Sequence, residues 1–390
     1  GLVWNSMMSM AGGWFFLMIN EAFRLGDRDF RLPGIGAYMS VAVDEGRYDA
    51  MIGAILAMIA MIVFLDQILW RPVVVWAQKF RMEEGGHLEA QSSWFLDWLR
   101  HSRLMRWGRI VMEKRRRRNA AAATSQAPKP EATSEAVPAS RWGPYVSLGV
   151  FALLMVLLLL GAWKLLDLLS AVSLDEWLDT LGAAGLTLIR VLAATALGTL
   201  WAVPAGLAIG LSPKLARILQ PVVQVAASFP APMLFPVAIA VMKVIGVSLD
   251  LWSVLLMLLG TQWYILFNVV AGAMAIPADL REAAASFNLP RWQRFRALYL
   301  PAVFPYLVTG WVTAAGGAWN ASIVAEFVTY QHEVLQAHGL GAHISAATEQ
   351  ANFPLLAAST FVMALVVVAF NRTVWRYCYH LAERRFSMNK

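Results

Sequence analysis

The chain has 390 residues, 59% of them apolar and 15% charged, with a mean hydropathy of +0.56 and a formal net charge of +7. Soluble domains lie nearer 45–50% apolar, so a water-soluble body is excluded, and the 17 Trp and 18 Met suit a polytopic membrane protein with aromatic interface belts. A lone cysteine, Cys378, excludes an intrachain disulfide and a Cys-clustered metal site, and the six His show no ligand spacing. Much of the charge sits in EKRRRR at 113–118. Beside apolar spans, the positive-inside rule accounts for such a run better than nucleic-acid binding does.

In chain order, the apolar pattern predicts about eight spans, near 2–19, 50–70, 145–166, 185–211, 218–246, 251–275, 303–325 and 353–375. Each is near the roughly 20 residues that cross hydrocarbon as a helix. The third is the clearest, with eleven Leu, Val and Phe between Val146 and Leu160, and its one lysine, Lys164, lies near an end where it can snorkel. The loops alternate in charge. Lys214 and Arg217 lie between spans four and five, Arg281, Arg291, Arg294 and Arg296 between six and seven, and Arg372, Arg376, Arg384 and Arg385 at the C-terminal end. Segments 169–184 and 326–352 carry no Lys or Arg. The basic sides are therefore predicted to be cytoplasmic, the C-terminus included. The opening span lacks the basic leader of a signal peptide.

Residues 1–77 repeat the last 80 or so at a constant offset of 305. Gly12 matches Gly317, Trp14 matches Trp319, Glu21 matches Glu326, and GIGAYMSVA at 34–42 matches GLGAHISAA at 339–347. The repeat predicts a two-span part of a first unit at 1–77 and a complete six-span second unit at 143–390. Equal repeats further predict roughly 160 residues ahead of Gly1, with a second copy of the cytoplasmic loop described below. Between the units, 78–142 reads as a cytoplasmic basic linker. Within it, 92–112 mixes aromatic and basic residues at helical spacing, fitting either the headgroup region or an ordinary linker helix. Residues 119–140 are rich in Ala, Pro, Ser, Thr and Glu and are expected to be a disordered tether.

Two stretches bear on function. The fifth span contains SFPAPMLFP, with Pro230, Pro232 and Pro236. Each proline removes a backbone donor, and broken helix is tolerated in a bilayer only where protein or water covers it. The segment is either a kinked packing helix or part of a solute path. Ser228, Pro230, Gln262, Asn268, Trp319 and Asn320 are the polar or kink-forming candidates for lining such a path. Glu21 and Glu326, at span ends, are expected to be interfacial and solvated rather than cavity-facing. Arg190 and Lys243 are expected to snorkel.

The second stretch is EAAASFNLPRWQRFRALYLP at 282–301, a basic segment on the cytoplasmic side. Asp279 suits the first turn of a helix. Asn288 tolerates the left-handed conformation that ends one, and Pro290 lets another start. The expected layout is a helix, a stop, a second helix and a closing Leu300-Pro301. The whole of 278–301 resembles the EAA loop of ABC importer permeases, with Glu282, Ala283 and Ala284, Asn288 in place of the family glycine, and Leu300-Pro301. Ser228-x-Pro230, TLIRVLAATALG at 187–198 and GGAWNASIVAEF at 316–327 resemble the nitrate/sulfonate/taurine branch of that family.

The resemblance implies an all-α polytopic fold of the type I ABC importer class and a permease for a small solute, such as nitrate, a sulfonate, taurine or bicarbonate. Other members import other small molecules, thiamine precursors among them. It also implies a fused double-permease protein, a separate cytoplasmic ABC ATPase in two copies that holds ATP and magnesium, an extracytoplasmic solute-binding protein, and the inner membrane as location. No catalytic residue, metal site or cofactor is expected on this chain, which lacks the GxxxxGK[ST] phosphate loop. The competing reading is an ion-coupled secondary transporter. Such proteins carry ionisable groups deep in their spans, whereas here only Asp66 stands out. A membrane enzyme is a weaker third reading, because no catalytic cluster supports it.

Overall fold

The computed structural model describes residues 2–26, 28–78 and 143–386. The expectations for the linker from 79 to 142, its 92–112 stretch and its 119–140 tether lie outside the described residues. The chain divides into two compact units, one formed by residues 1–62 with 168–390 and the other by residues 63–167.

The elements in order are α1 (Leu2–Asn20), a hairpin of β1 (Ala22–Leu25) and β2 (Arg28–Arg31), α2 (Ile35–Asp44), α3 (Tyr48–Leu65) and α4 (Arg71–Gln78). After the linker come α5 (Gly143–Ser170), α6 (Leu174–Leu211), α7 (Pro213–Ser228), α8 (Phe235–Ile245), α9 (Leu249–Met274) and α10 (Ala278–Ser286). The long helix α11 (Arg291–Ala325) follows. A second hairpin of β3 (Phe327–Tyr330) and β4 (Glu333–Gln336), then α12 (Leu340–Glu349), α13 (Phe353–Phe370) and α14 (Arg376–Phe386), completes the chain.

Among the described residues six helices are long and apolar enough to cross a membrane, or seven if one bent pair counts as a span. The expectation of about eight is corrected at one place, the fifth span, while the first is found as a helix where it was expected. The span at 218–246 is two helices, α7 and a second beginning at Ala231, that meet at 82°. The span at 2–19 coincides with α1, whose first residues lie outside those described at side-chain level. The prolines explain the bend: Pro230, Pro232 and Pro236 cannot donate, so the chain turns through a short 3-10 segment at Ala231–Leu234.

The centre of the larger unit is α9, packed between α6 and α11. Small residues on α6 recur every four positions at Gly198, Ala202, Gly206 and Gly210, forming one stripe. A Cβ on Gly206 would lie 2.6 Å from Cγ1 of Val269, and one on Gly210 would lie 2.5 Å from Ala273. The two helices therefore meet backbone to backbone, the arrangement that gives dispersion contacts where no hydrophobic effect operates between helices. Helix α6 starts with a capping box, Ser173 accepting from the Glu176 amide while Glu176 accepts from the Ser173 amide.

The 305-residue offset seen in the sequence holds element by element without a gap. β1 and β2 correspond to β3 and β4, α2 to α12, α3 to α13, and the π-turn at Asp66–Trp70 to that at Asn371–Trp375. Detail recurs too. The Leu32 amide donates to the Glu21 carbonyl and the Ala337 amide to the Glu326 carbonyl, both at 2.8 Å. In the second hairpin, Gln331 and His332 both take positive φ, 51° and 65°, as a two-residue hairpin turn requires. In the smaller unit, Asp66 is buried, accepts from Gln67 and lies 3.9 Å from Arg71.

Candidate functional site

At one end of the large unit, α10 and α11 form an elbow. Asp279 lies in the first turn of α10, and Asn288 closes the helix with φ of 48°. The amides of Phe287, Asn288 and Leu289 return to the carbonyls of Ala283, Ala285 and Ala284, and the Arg294 guanidinium caps the Leu289 carbonyl at 2.6 Å. A left-handed residue thus satisfies the last carbonyls of α10 and turns the chain.

The expected closing role of Leu300-Pro301 is corrected, because the second helix does not stop there. It runs unbroken from Arg291 to Ala325, through a π-turn at Phe295–Tyr299. Pro301 lacks an N–H, and the wider turn ahead of it absorbs the missing helical bond. Glu282, Ala283 and Asn288 are exposed, Ala284 is buried, and Leu300 and Pro301 are half-buried. The elbow also exposes Leu280, Phe287 and Trp292, with Trp292 stacked on Phe295 at 5.5 Å. Sequence reasoning selected the EAA residues and passed over these aromatics, whose exposure depends on the turn.

The broken helix borders a cavity of about 100 Å³, lined among others by Phe15 and Phe16 of α1, Phe229 and Ala231 at the break, Tyr264 of α9 and Asn320 of α11. Ser228 and the buried Pro230 flank the break, and the Ser228 hydroxyl donates to the Gln224 carbonyl. Gln262, Asn268 and Trp319 are not among the lining residues. Asn268 donates to the Tyr264 carbonyl and packs on Gly310, and Trp319 lies in the core.

At the far end of α11, roughly 50 Å from the elbow at 1.5 Å per residue, lies a buried ion cluster. It overturns two expectations, the solvated Glu326 and the snorkelling Arg190. Glu326 is 0% exposed. Its Oε1 accepts from Arg190 Nη1 at 2.8 Å, and its Oε2 from the Gly341 amide at 2.8 Å. The Thr187 hydroxyl also reaches the carboxylate, at 2.9 Å, and in turn accepts from the Leu340 amide. Arg190 donates Nε to the Asp250 carbonyl, Nη1 also to the His338 carbonyl, and Nη2 to Asp250 Oδ1 at 2.7 Å. Four of the five guanidinium donors are thus used. Asp250, 40% exposed, links the cluster to solvent. One arginine therefore ties α6 to α9, to α11 and to the start of α12. Lys243, in contrast, stays at the surface, pairing with Glu333 and lying over the Tyr330 ring.

Residues 194–386, covering α9, the elbow and α11, match the family described as "Binding-protein-dependent transport system inner membrane component". Over those residues the chain is similar to members of that family. It is similar to the nitrate import permease protein NrtB of Leptolyngbya laminosa, with 30% identity over 138 residues, 34% of this chain and 48% of the relative. It is also similar to the taurine transport system permease protein TauC of Escherichia coli K12, with 27% identity over 185 residues, 47% of this chain and 62% of the relative. A third relative is the bicarbonate transport system permease protein CmpB of Synechococcus elongatus, with 26% identity over 142 residues, 36% of this chain and 50% of the relative. The chain spans about half the length of the curated relatives it matches. As an inner membrane component with several apolar helices, it is a multi-pass membrane protein.

Proposed function

We propose that the chain is the transmembrane permease component of an ATP-driven importer that carries a small anion, of the kind named for its relatives, across the inner membrane. A separate ABC ATPase, present in two copies with ATP and magnesium bound, docks under the α10–α11 elbow. A solute-binding protein delivers cargo on the opposite side. The arginine-rich elbow and C-terminus face the cytoplasm, in keeping with the positive-inside rule.

The observation that carries this reading is the elbow itself. Leu280, Phe287 and Trp292 expose apolar surface in a polar, basic loop, and apolar patches of that kind mark protein interfaces. Because α11 is one helix from the elbow to Glu326, a push on the elbow moves a rigid rod whose far end is locked to α6, α9 and α12. The cavity beside the broken helix lies on that rod, and its size suits a small solute. Ser228, Pro230 and Asn320 are the proposed pathway residues. The placement of Gln262, Asn268 and Trp319 favours helix packing for them instead. The recurrence of elements at offset 305 supports reading residues 1–77 as the C-terminal part of a first permease unit and 143–390 as a second.

The test is co-purification of an ATPase with the detergent-solubilised protein, with and without Glu282→Arg or Phe287→Asp. The native protein is expected to retain the ATPase, and either variant to lose it by about thirtyfold, as for a hot-spot contact of ~2 kcal/mol. If no ATPase accompanies the native protein, docking at 278–301 is wrong and an ion-coupled transporter takes its place.

A further inference from the structure

The 305-residue repeat pairs each residue of α1 with one of α11, and the two copies differ in what covers them. Helix α11 lies against α6 and α9, and Ala318, Ala321, Ser322 and Ala325 are buried there. Their counterparts Gly13, Phe16, Leu17 and Asn20 are exposed, Leu17 by 40% and Phe16 by 46% although one side of it borders the cavity at the broken helix. The spacing i, i+3, i+4, i+7 puts these four on one face of α1. The difference extends to the neighbouring helix: Ala358 and Val362 of α13 are buried, and α13 packs on α6, while their counterparts Gly53 and Ala57 on α3 are exposed.

The charged group at the end of this face says what covers it. Glu21 is set as Glu326 is set, with its Oε2 accepting the Gly36 amide at 2.6 Å where Glu326 accepts Gly341. Glu326 is further held by Thr187 and Arg190, three residues apart on α6. Among the described residues, Glu21 has neither a hydroxyl nor a cation on its carboxylate. Lipid tails can cover Phe16 and Leu17. They cannot satisfy a carboxylate whose equivalent in the same fold is neutralised by a guanidinium.

We propose that the open face of α1 and α3, ending in Glu21, is the docking surface for a membrane-spanning helix of the α6 kind, one that sets a Ser or Thr and an Arg three residues apart against Glu21. That helix belongs to a permease unit other than the one built from residues 174–386, whose own Arg190 is already held by Glu326 and Asp250. The proposal rests on the permease reading above, but it is tested at the opposite end of the helices from the ATPase elbow.

The experiment places the photo-cross-linking residue p-benzoylphenylalanine at Leu17 of the full chain in its native membrane, with the same probe at Leu365 of α13 as control. Adducts are identified by mass spectrometry. The expected Leu17 adduct is a membrane-spanning peptide containing Ser/Thr-x-x-Arg and differing from residues 174–211. Its yield should fall roughly tenfold or more with Glu21→Gln, which keeps the acceptor for Gly36 but removes the charge that holds the arginine. The Leu365 adducts should not respond to that change. Lipid adducts alone at Leu17, a peptide without the Ser/Thr-x-x-Arg pattern, an adduct to 174–211 of a second copy, or a yield indifferent to Glu21→Gln each overturns the proposal. Loss of the cross-link with ATPase co-purification intact would leave the importer reading standing.

Discussion

Removing Arg190 while leaving Glu326 in place tests whether the ion cluster is a structural lock. In Arg190→Met the Glu326 carboxylate stays fully buried, and its remaining partners are the Thr187 hydroxyl and the Gly341 amide. Breaking one side of a buried pair costs about 3–5 kcal/mol, because the other charge is left uncompensated. At roughly 2–4 °C per kcal/mol for a domain of this size, the melting midpoint should fall by about 6–20 °C. Glu326→Gln should be milder, since the amide keeps the shape and one acceptor while Arg190 retains Asp250; the loss of a charged hydrogen bond suggests ~1.5–3 kcal/mol. The double variant Arg190→Met/Glu326→Met should lose less than the sum of its single changes, because it buries no lone charge. Lys243→Met is the control, since its pair with Glu333 is exposed and surface pairs contribute about 0–1 kcal/mol. The assay is thermal unfolding in detergent, followed by fluorescence-detected size exclusion. A native-like Arg190→Met midpoint, or strict additivity in the double variant, would refute the lock.

Two further outcomes concern the backbone. Asn288→Val places a β-branched residue at φ 48° and should cost about 1–2 kcal/mol and weaken ATPase recovery. Asn288→Gly should be neutral or better on both readouts. Gly206→Leu drives a side chain into Val269 across the α6–α9 contact and should destabilise by about 1–3 kcal/mol or more in the same melting assay. Gly149→Leu, on α5 with nothing within 4 Å of the added carbon, should leave the midpoint unchanged.

Much of the fold was legible because the signals are local. Apolar runs near the length of a bilayer crossing, alternating basic loops and a gapless repeat are properties of neighbouring residues or of fixed offsets. The left-handed stop at Asn288 was legible for the same reason, since φ preference belongs to the residue itself. The continuation of α11 through Pro301 was not, because a proline that begins a helix and one bypassed by a π-turn look alike in one dimension. The exposed Phe287 and Trp292 were hidden for a related reason: which aromatics face outward follows from the direction of the turn after α10.

The ion cluster marks the boundary between what the residues alone determined and what folding decided. Composition and spacing determined a chain of membrane-spanning helices, and the EAA-type loop marked 278–301 as the stretch expected to meet a partner. They left Arg190 and Glu326 as charges near span ends, for which solvation was the cheaper assumption. Only the tertiary structure brings residues 136 positions apart to 2.8 Å and surrounds them with the amide of Gly341 and the hydroxyl of Thr187. Burial of a charge is a property of everything packed around it, and no window along the chain contains that information.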